Sequence, residues 1–212
     1  MPRLPLGELD QAQTDPIAFR QRIDHPEPKT FRPSYFSALR DAVFEFHKPG
    51  RTLPDALSYL EERLDRFSSR RRATDVVDQF AWYVAEFANR GLVTFHTRLN
   101  IRVSLPSWAP PDLVCSGQIA RVDIVPTGGY AAWLFRAKEP GAWSTRLQMP
   151  LMQRTIATSV LGAPLPEVSI GVISFKERLI ESRTYTLSEV DSAFDELEHI
   201  LRSIGYSPPS AA

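Results

Sequence analysis

The residues with chemical capacity in this 212-residue chain gather in its middle third. Arg98 and Arg102 stand with His96 and Asn100 on the polar side of an alternating segment, and guanidinium groups at that spacing could extend a phosphate-binding track. Further on, Arg136 and Lys138 share strand parity and Arg146 follows closely, a set of cations able to hold a backbone phosphate. Three carboxylates, Asp112, Asp123 and Glu139, are the only acids between Arg90 and Arg154, against eight basic residues, so this stretch carries a net charge of +5. The compensating acids, Glu189, Asp191, Asp195, Glu196 and Glu198, fall in the last helical segment. His25, His96 and His199 have no Cys, His or carboxylate at ligand spacing, and Cys115 alone supports neither an intramolecular disulfide, a four-cysteine cluster nor a zinc knuckle. No phosphate loop of the Walker type, dinucleotide fingerprint, G-x-S-x-G elbow or H-E-x-x-H pair is present.

The elements that must position these residues follow from periodicity. Residues 1–30 hold Pro2, Pro5, Pro16, Pro26 and Pro28 with little pattern, which predicts an arm with one short helix from Asp15-Pro16. Residues 31–92 read as helical. Phe36, Leu39, Val43 and Phe46 make one helix, ended by Pro49-Gly50; Leu57, Leu60, Leu64 and Phe67 make a second; Val76, Val77, Phe80, Val84 and Phe87 make a third after Arg70-Arg71-Arg72, capped near Gly91. The period then becomes two, and alternation from Val93 to Leu105 predicts a long half-buried strand. Strands over 113–125 and 130–138 follow, joined at Thr127-Gly128-Gly129. A helix over 147–161, strands over 168–175 and 179–186, and a last helix opened by Ser188 complete residues 93–206. This order makes a single α+β domain with its sheet covered on at least one side.

Three segments stand out together within that order: Gly117-Gln118-Ile119-Ala120-Arg121-Val122-Asp123, then Leu134-Phe135-Arg136-Ala137-Lys138, then Leu147-Gln148-Met149-Pro150-Leu151-Met152. Their layout resembles the RecB-type branch of the PD-(D/E)XK nucleases, in which a strand reading G-x-I-D-R-x-D leads to a strand ending D-Y-K and a helix opening Q-x-P-L-Y. The resemblance covers roughly residues 90–205 and implies a restriction-endonuclease-like core, with DNA processing or defence against foreign DNA as its setting. Two carboxylates of such a site hold Mg²⁺ or Mn²⁺ while the lysine steadies the attacking water. Lys138 and Gln148 match the family; its first acid falls on Ala120, its second on Arg136 and its helix tyrosine on Met152. A guanidinium at Arg136 would repel a divalent ion. Relocated acids fit poorly: Asp123 is an odd offset of three from Ala120, Glu139 is one past Lys138, and Asp112 lies about 26 Å along the strand from Ala120. The family often carries a helical histidine near the metal, but His47 lies at a helix end before Lys48-Pro49-Gly50 and does not match that context.

These residues therefore predict a nuclease-fold protein with no intact catalytic set and no cofactor, contacting DNA or scaffolding a larger protein complex. Two other readings stay open: an active nuclease using Mg²⁺ or Mn²⁺ with Lys138 and relocated acids, and a module that only binds proteins. Arg136, Lys138, Arg98, Arg102 and Arg146 are the expected nucleic-acid contacts. Trp82, Tyr83 and Trp133 read as core anchors, whereas Trp108 and Trp143 flank the strands and could stack on a base. With 43% hydrophobic and 24% charged residues, the composition excludes wholesale disorder. The length is short of a (β/α)₈ barrel. No apolar run approaches the roughly 18 residues of a membrane span, and the start lacks an apolar leader, which predicts a cytoplasmic protein without membrane contact.

Overall fold

The computed structural model describes residues 2–26, 32–137 and 141–207. Its architecture is a mixed sheet between two helical layers. Strands β1 (Arg3–Pro5), β2 (Val93–Val103), β3 (Val114–Ile124), β4 (Tyr130–Arg136), β5 (Val168–Ser174) and β6 (Leu179–Arg183) form the sheet. β2, β3 and β4 are an antiparallel meander, β5 lies parallel to β4, and β6 returns antiparallel to β5. The parallel step requires a crossover, which the segment between β4 and β5 supplies as a helix.

One layer consists of α3 (Tyr35–Phe46), α4 (Leu53–Leu64) and α5 (Arg70–Asn89), packed on Ala131, Trp133, Phe135, Ile173 and Phe175. Period-two alternation delivers Ala132, Leu134, Ile170 and Val172 to the other face. There they meet α1 (Leu9–Thr14), α2 (Pro16–Asp24), α6 (Gln148–Thr155) and α7 (Leu187–Ser203). Because β4 and β5 are covered on both faces, they read as near-continuous apolar runs. Local signals start the helices. Capping boxes join Ser34 with Ser37 at α3, Thr52 with Asp55 at α4, and Thr186 with Glu189 at α7.

Four features differ from the periodicity reading. The proline-rich beginning is built into the domain: β1 pairs parallel with β3, and Leu4, Leu6, Leu9 and Phe19 are buried in the core. Its short apolar residues carry no single period because a strand, a turn and two helices share about twenty positions. The helix over 147–161 changes at Ile156 into a π-helical turn that ends at Gly162, where φ is +61°. The last helix begins with Thr186 as cap, two residues before Ser188, since Glu189 can reciprocate that cap. Finally, β2 is half-buried only in its last part: Val93 and Phe95 are exposed, while Ile101 and Val103 are buried. A bulge between Thr94 and His96, and a φ of +54° at Arg98, interrupt the alternation.

Candidate functional site

The irregularity in β2 decides which side chains meet. Pairing with β3 skips the Arg98/Ala120 position, running Leu99 with Ile119 and Thr97 with Arg121. On β3, Cys115, Ile119 and Val122 pack with the α6/α7 side, whereas Ala120 joins the α3–α5 cluster. Arg121 and Asp123 also reach toward α3 and α5, so adjacent residues 120 and 121 face the same layer. The odd offset between Ala120 and Asp123 thus does not separate them. Strict alternation fails here because the ladder has no pair at this position, where Arg98 holds a φ of +54°, although the register is the same on both sides of it.

What this irregularity assembles is a buried polar cluster. Arg121 is only 1% exposed and Asp123 fully buried; Arg121 donates from Nε at 2.8 Å and approaches with Nη2 at 2.6 Å, both to Asp123 Oδ2. The indole Nε1–H of Trp133 donates to the same oxygen at 2.8 Å. On the other side Arg121 Nη1 donates to Nε2 of His47 at 2.8 Å, and the Tyr83 hydroxyl lies 2.5 Å from that nitrogen. An acceptor at Nε2 puts the imidazole proton on Nδ1, which donates to Thr94 Oγ1 at 2.8 Å. The guanidinium also lies against two rings, 4.6 Å from the centroid of Phe87 and 5.3 Å from that of Tyr83.

The electrostatics of this cluster are those of a closed structural site. Burial, with the Arg121 charge adding to it, pushes His47 down to about 2, so the imidazole is neutral across the physiological range. Its lone pair is already engaged, which removes it as a general base. Burial also pushes Asp123 upward, opposed by Arg121, Trp133 and Thr94. Asp123 Oδ1 has no hydrogen-bond partner among the described residues. Ala120 offers no donor atom, and the guanidinium lies against the one carboxylate in the cluster. Among the described residues, no three His, Cys, Asp or Glu side chains converge. This donor set does not fit a divalent cation.

The remaining residues singled out from sequence are scattered. Lys138 and Glu139 lie outside the described residues. Gln148, the first residue of α6, is buried on the opposite side of the sheet, its Oε1 close to Gly7 and its Nε2 unpartnered among the described residues. Asp112 is exposed in a proline turn, near enough to Tyr206 to affect it, and so belongs to the end of α7. By alternation Arg136 falls with Leu134, on the face opposite to Ala120. Arg98 pairs with Asp41 at 3.4 Å and lies over the Phe44 ring. Arg102 is exposed on β2, and Arg146 follows a short 3₁₀ turn before α6. Trp143 is buried with its indole donating to Glu181 at 2.9 Å, so it is not presented for base stacking. Trp108 is half-buried with Arg202 across its ring.

Asp123 is thus a buried ion-pair member and not a solvated strand end. Arg121, His47, Tyr83 and Trp133 are the residues that periodicity left out of the site. One local signal pointed to them: a basic residue two positions before an acid, at the centre of an apolar strand, places both on one face.

No family model matches the sequence, and no curated protein matches it. Among solved structures, a candidate exonuclease from Eubacterium rectale is similar over 95% of this chain and 81% of that one, with a TM-score of 0.53 at 7% identity. At that identity the likeness is one of fold, and the chain has a nuclease-like α+β fold. The SSO0001 protein, at a TM-score of 0.35 and 9% identity over 91% of this chain and 86% of that one, is too distant to bear on it. No helix among the described residues is long and apolar enough to cross a membrane.

Proposed function

We propose that this chain is a RecB-type member of the PD-(D/E)XK superfamily with a disabled metal site, and that it works as a non-catalytic, DNA-contacting subunit of a larger complex. The observation that carries the reading is Ala120, which brings no carboxylate to the place of the family's first acid, beside an Asp123 that cannot stand in for it. One oxygen of Asp123 accepts from the Arg121 Nε–H and from the Trp133 indole N–H with Arg121 Nη2 close by, and a carboxylate so engaged by a guanidinium that cannot lose its proton is neither a metal ligand nor a base. The restriction-endonuclease-like order of meander, helix and parallel strand supports the same assignment. Relocated acids gain no support, because Asp112 faces the end of α7 and Asp123 is committed to Arg121.

DNA contact follows from the +5 segment, whose exposed Arg98 and Arg102 lie on the sheet's edge strand. The test is binding of single- and double-stranded DNA across a salt series. Arg102→Ala and Arg136→Ala should each flatten the log–log salt slope by about one. Absence of any salt-dependent binding would overturn DNA contact.

One observation favours a protein-contact role in addition. Val93, Phe95 and Ile124 are all exposed, and Val93 pairs directly with Ile124 while the Phe95 ring packs at 5.8 Å from Tyr130. Clustered apolar exposure of this kind marks a surface covered by a partner.

A further inference from the structure

A second region gathers charge away from the Arg121 cluster. The first turn of α5 meets the turn between β5 and β6 across a cleft of about 470 Å³. The cleft has an apolar floor, Phe36 with Leu39 and Val76, and Phe36 is braced edge-on by Phe175 at 6.1 Å. Its rim holds Arg72 on one side and Lys176 and Arg178 on the other. All three are exposed, and none has an ion-pair partner among the described residues. Glu177, between the two turn cations, bonds back to Ser174 Oγ.

Two features of these cations work against the fold. Arg70, Arg71 and Arg72 open α5 with no acid in its first turn, so three positive charges sit at the positive end of a helix dipole. Arg178 holds a φ of +52°, a left-handed conformation that glycine would adopt without strain. The rim is mixed, since Asp75 and Asp78 line the α5 wall, and the three cations leave the charged lining positive. Tyr35, clasped to Ser69 through its hydroxyl and stacked on Phe67 at 4.4 Å, fixes the remaining wall.

We infer that this cleft seats one nucleotide of single-stranded DNA, its phosphate between Arg72, Lys176 and Arg178 and its base on the Phe36 floor. The inference rests on the proposed DNA contact and names a site for it that the strand arginines do not include. An aromatic floor with a cationic rim is the pairing that single-stranded nucleic acid requires, whereas a bare phosphate would need no floor.

The test uses the full chain and a labelled 15-nucleotide single strand in fluorescence anisotropy. Arg72→Ala and Lys176→Ala should each weaken binding roughly tenfold at low salt and reduce the salt slope by about 0.7. Arg178→Gly separates binding from structure: relief of the left-handed strain should leave the melting temperature unchanged or raised while affinity falls by a similar factor. Phe36→Leu, which keeps the floor filled, should weaken the single strand by roughly fivefold or more and leave inorganic phosphate binding unaltered. Wild-type binding that these four variants leave intact, while Arg98→Ala or Arg102→Ala reduces it, would overturn the cleft and keep DNA contact. A wild type that binds no DNA would overturn both.

Discussion

Arg121 Nη1 donates to Nε2 of His47 across 2.8 Å, tying the middle of β3 to the end of α3. The contact needs a neutral imidazole, because a proton on Nε2 would face the guanidinium directly. His47 is held at about 2 in the fold, against an ordinary value of 6.5. The unfolded chain therefore binds a proton that the folded chain refuses, and stability from this residue is lost as pH falls below 6.5 and on toward 2. The expected slope is about 1 kcal/mol per pH unit. His47→Gln keeps an acceptor for Arg121 and removes the titration, so denaturant midpoints of the two proteins should diverge progressively between pH 6.5 and 4.5. Parallel curves would show that His47 is not the buried base.

The ion pair itself lends itself to a double-mutant cycle. Arg121→Met alone leaves Asp123 buried and uncompensated, and should cost about 3–5 kcal/mol. Adding Asp123→Leu removes the stranded charge, and the double variant should recover most of that loss. Additive losses in chemical denaturation would mean that the pair is not coupled.

Trp133 reaches Asp123 because Gly171 leaves room beside it. These two residues are register partners on β4 and β5, and a Cβ at 171 would come within 2.6 Å of the Trp133 ring and 2.2 Å of the Glu181 carbonyl oxygen. Gly171→Ala should therefore destabilise by at least 1–3 kcal/mol. Indole fluorescence and thermal melting check it together: a shift in both is expected, and an unchanged melt would contradict the close approach.

Cys115 is fully buried on β3 between the N-terminal strand and β2, and burial pushes its thiol up to about 12. It should resist alkylation at pH 8 in the native protein and react fully in denaturant. Rapid native labelling would show that β1 does not cover it.

Much of this architecture was legible in the sequence. The three helices before Gly91 and the meander after it follow from hydrophobic period alone, whereas the cover on the second face of β4 is a tertiary fact that period does not give. The departure of Ala120 from the first acid of the motif that the strand resembles was equally visible, because it needs only the strand motif. The Arg121 cluster was not, for two physical reasons. Its members come from positions 47, 83, 94, 121, 123 and 133, and periodicity says nothing about such distant pairs. The irregularity at Arg98 also breaks the parity on which any placement of Asp123 depends. The N-terminal segment was missed because its burial is tertiary: Leu4 and Leu6 acquire their role only by docking beside β3.

The proposed non-catalytic role rests on Ala120, which leaves Asp123, committed to Arg121, without a second carboxylate beside it to hold a metal. Its most direct test is cleavage of single- and double-stranded DNA by the purified chain with Mg²⁺ or Mn²⁺, beside Lys138→Ala. No metal-dependent cleavage above that of the variant is expected. Cleavage by the wild type that Lys138→Ala abolishes would contradict it.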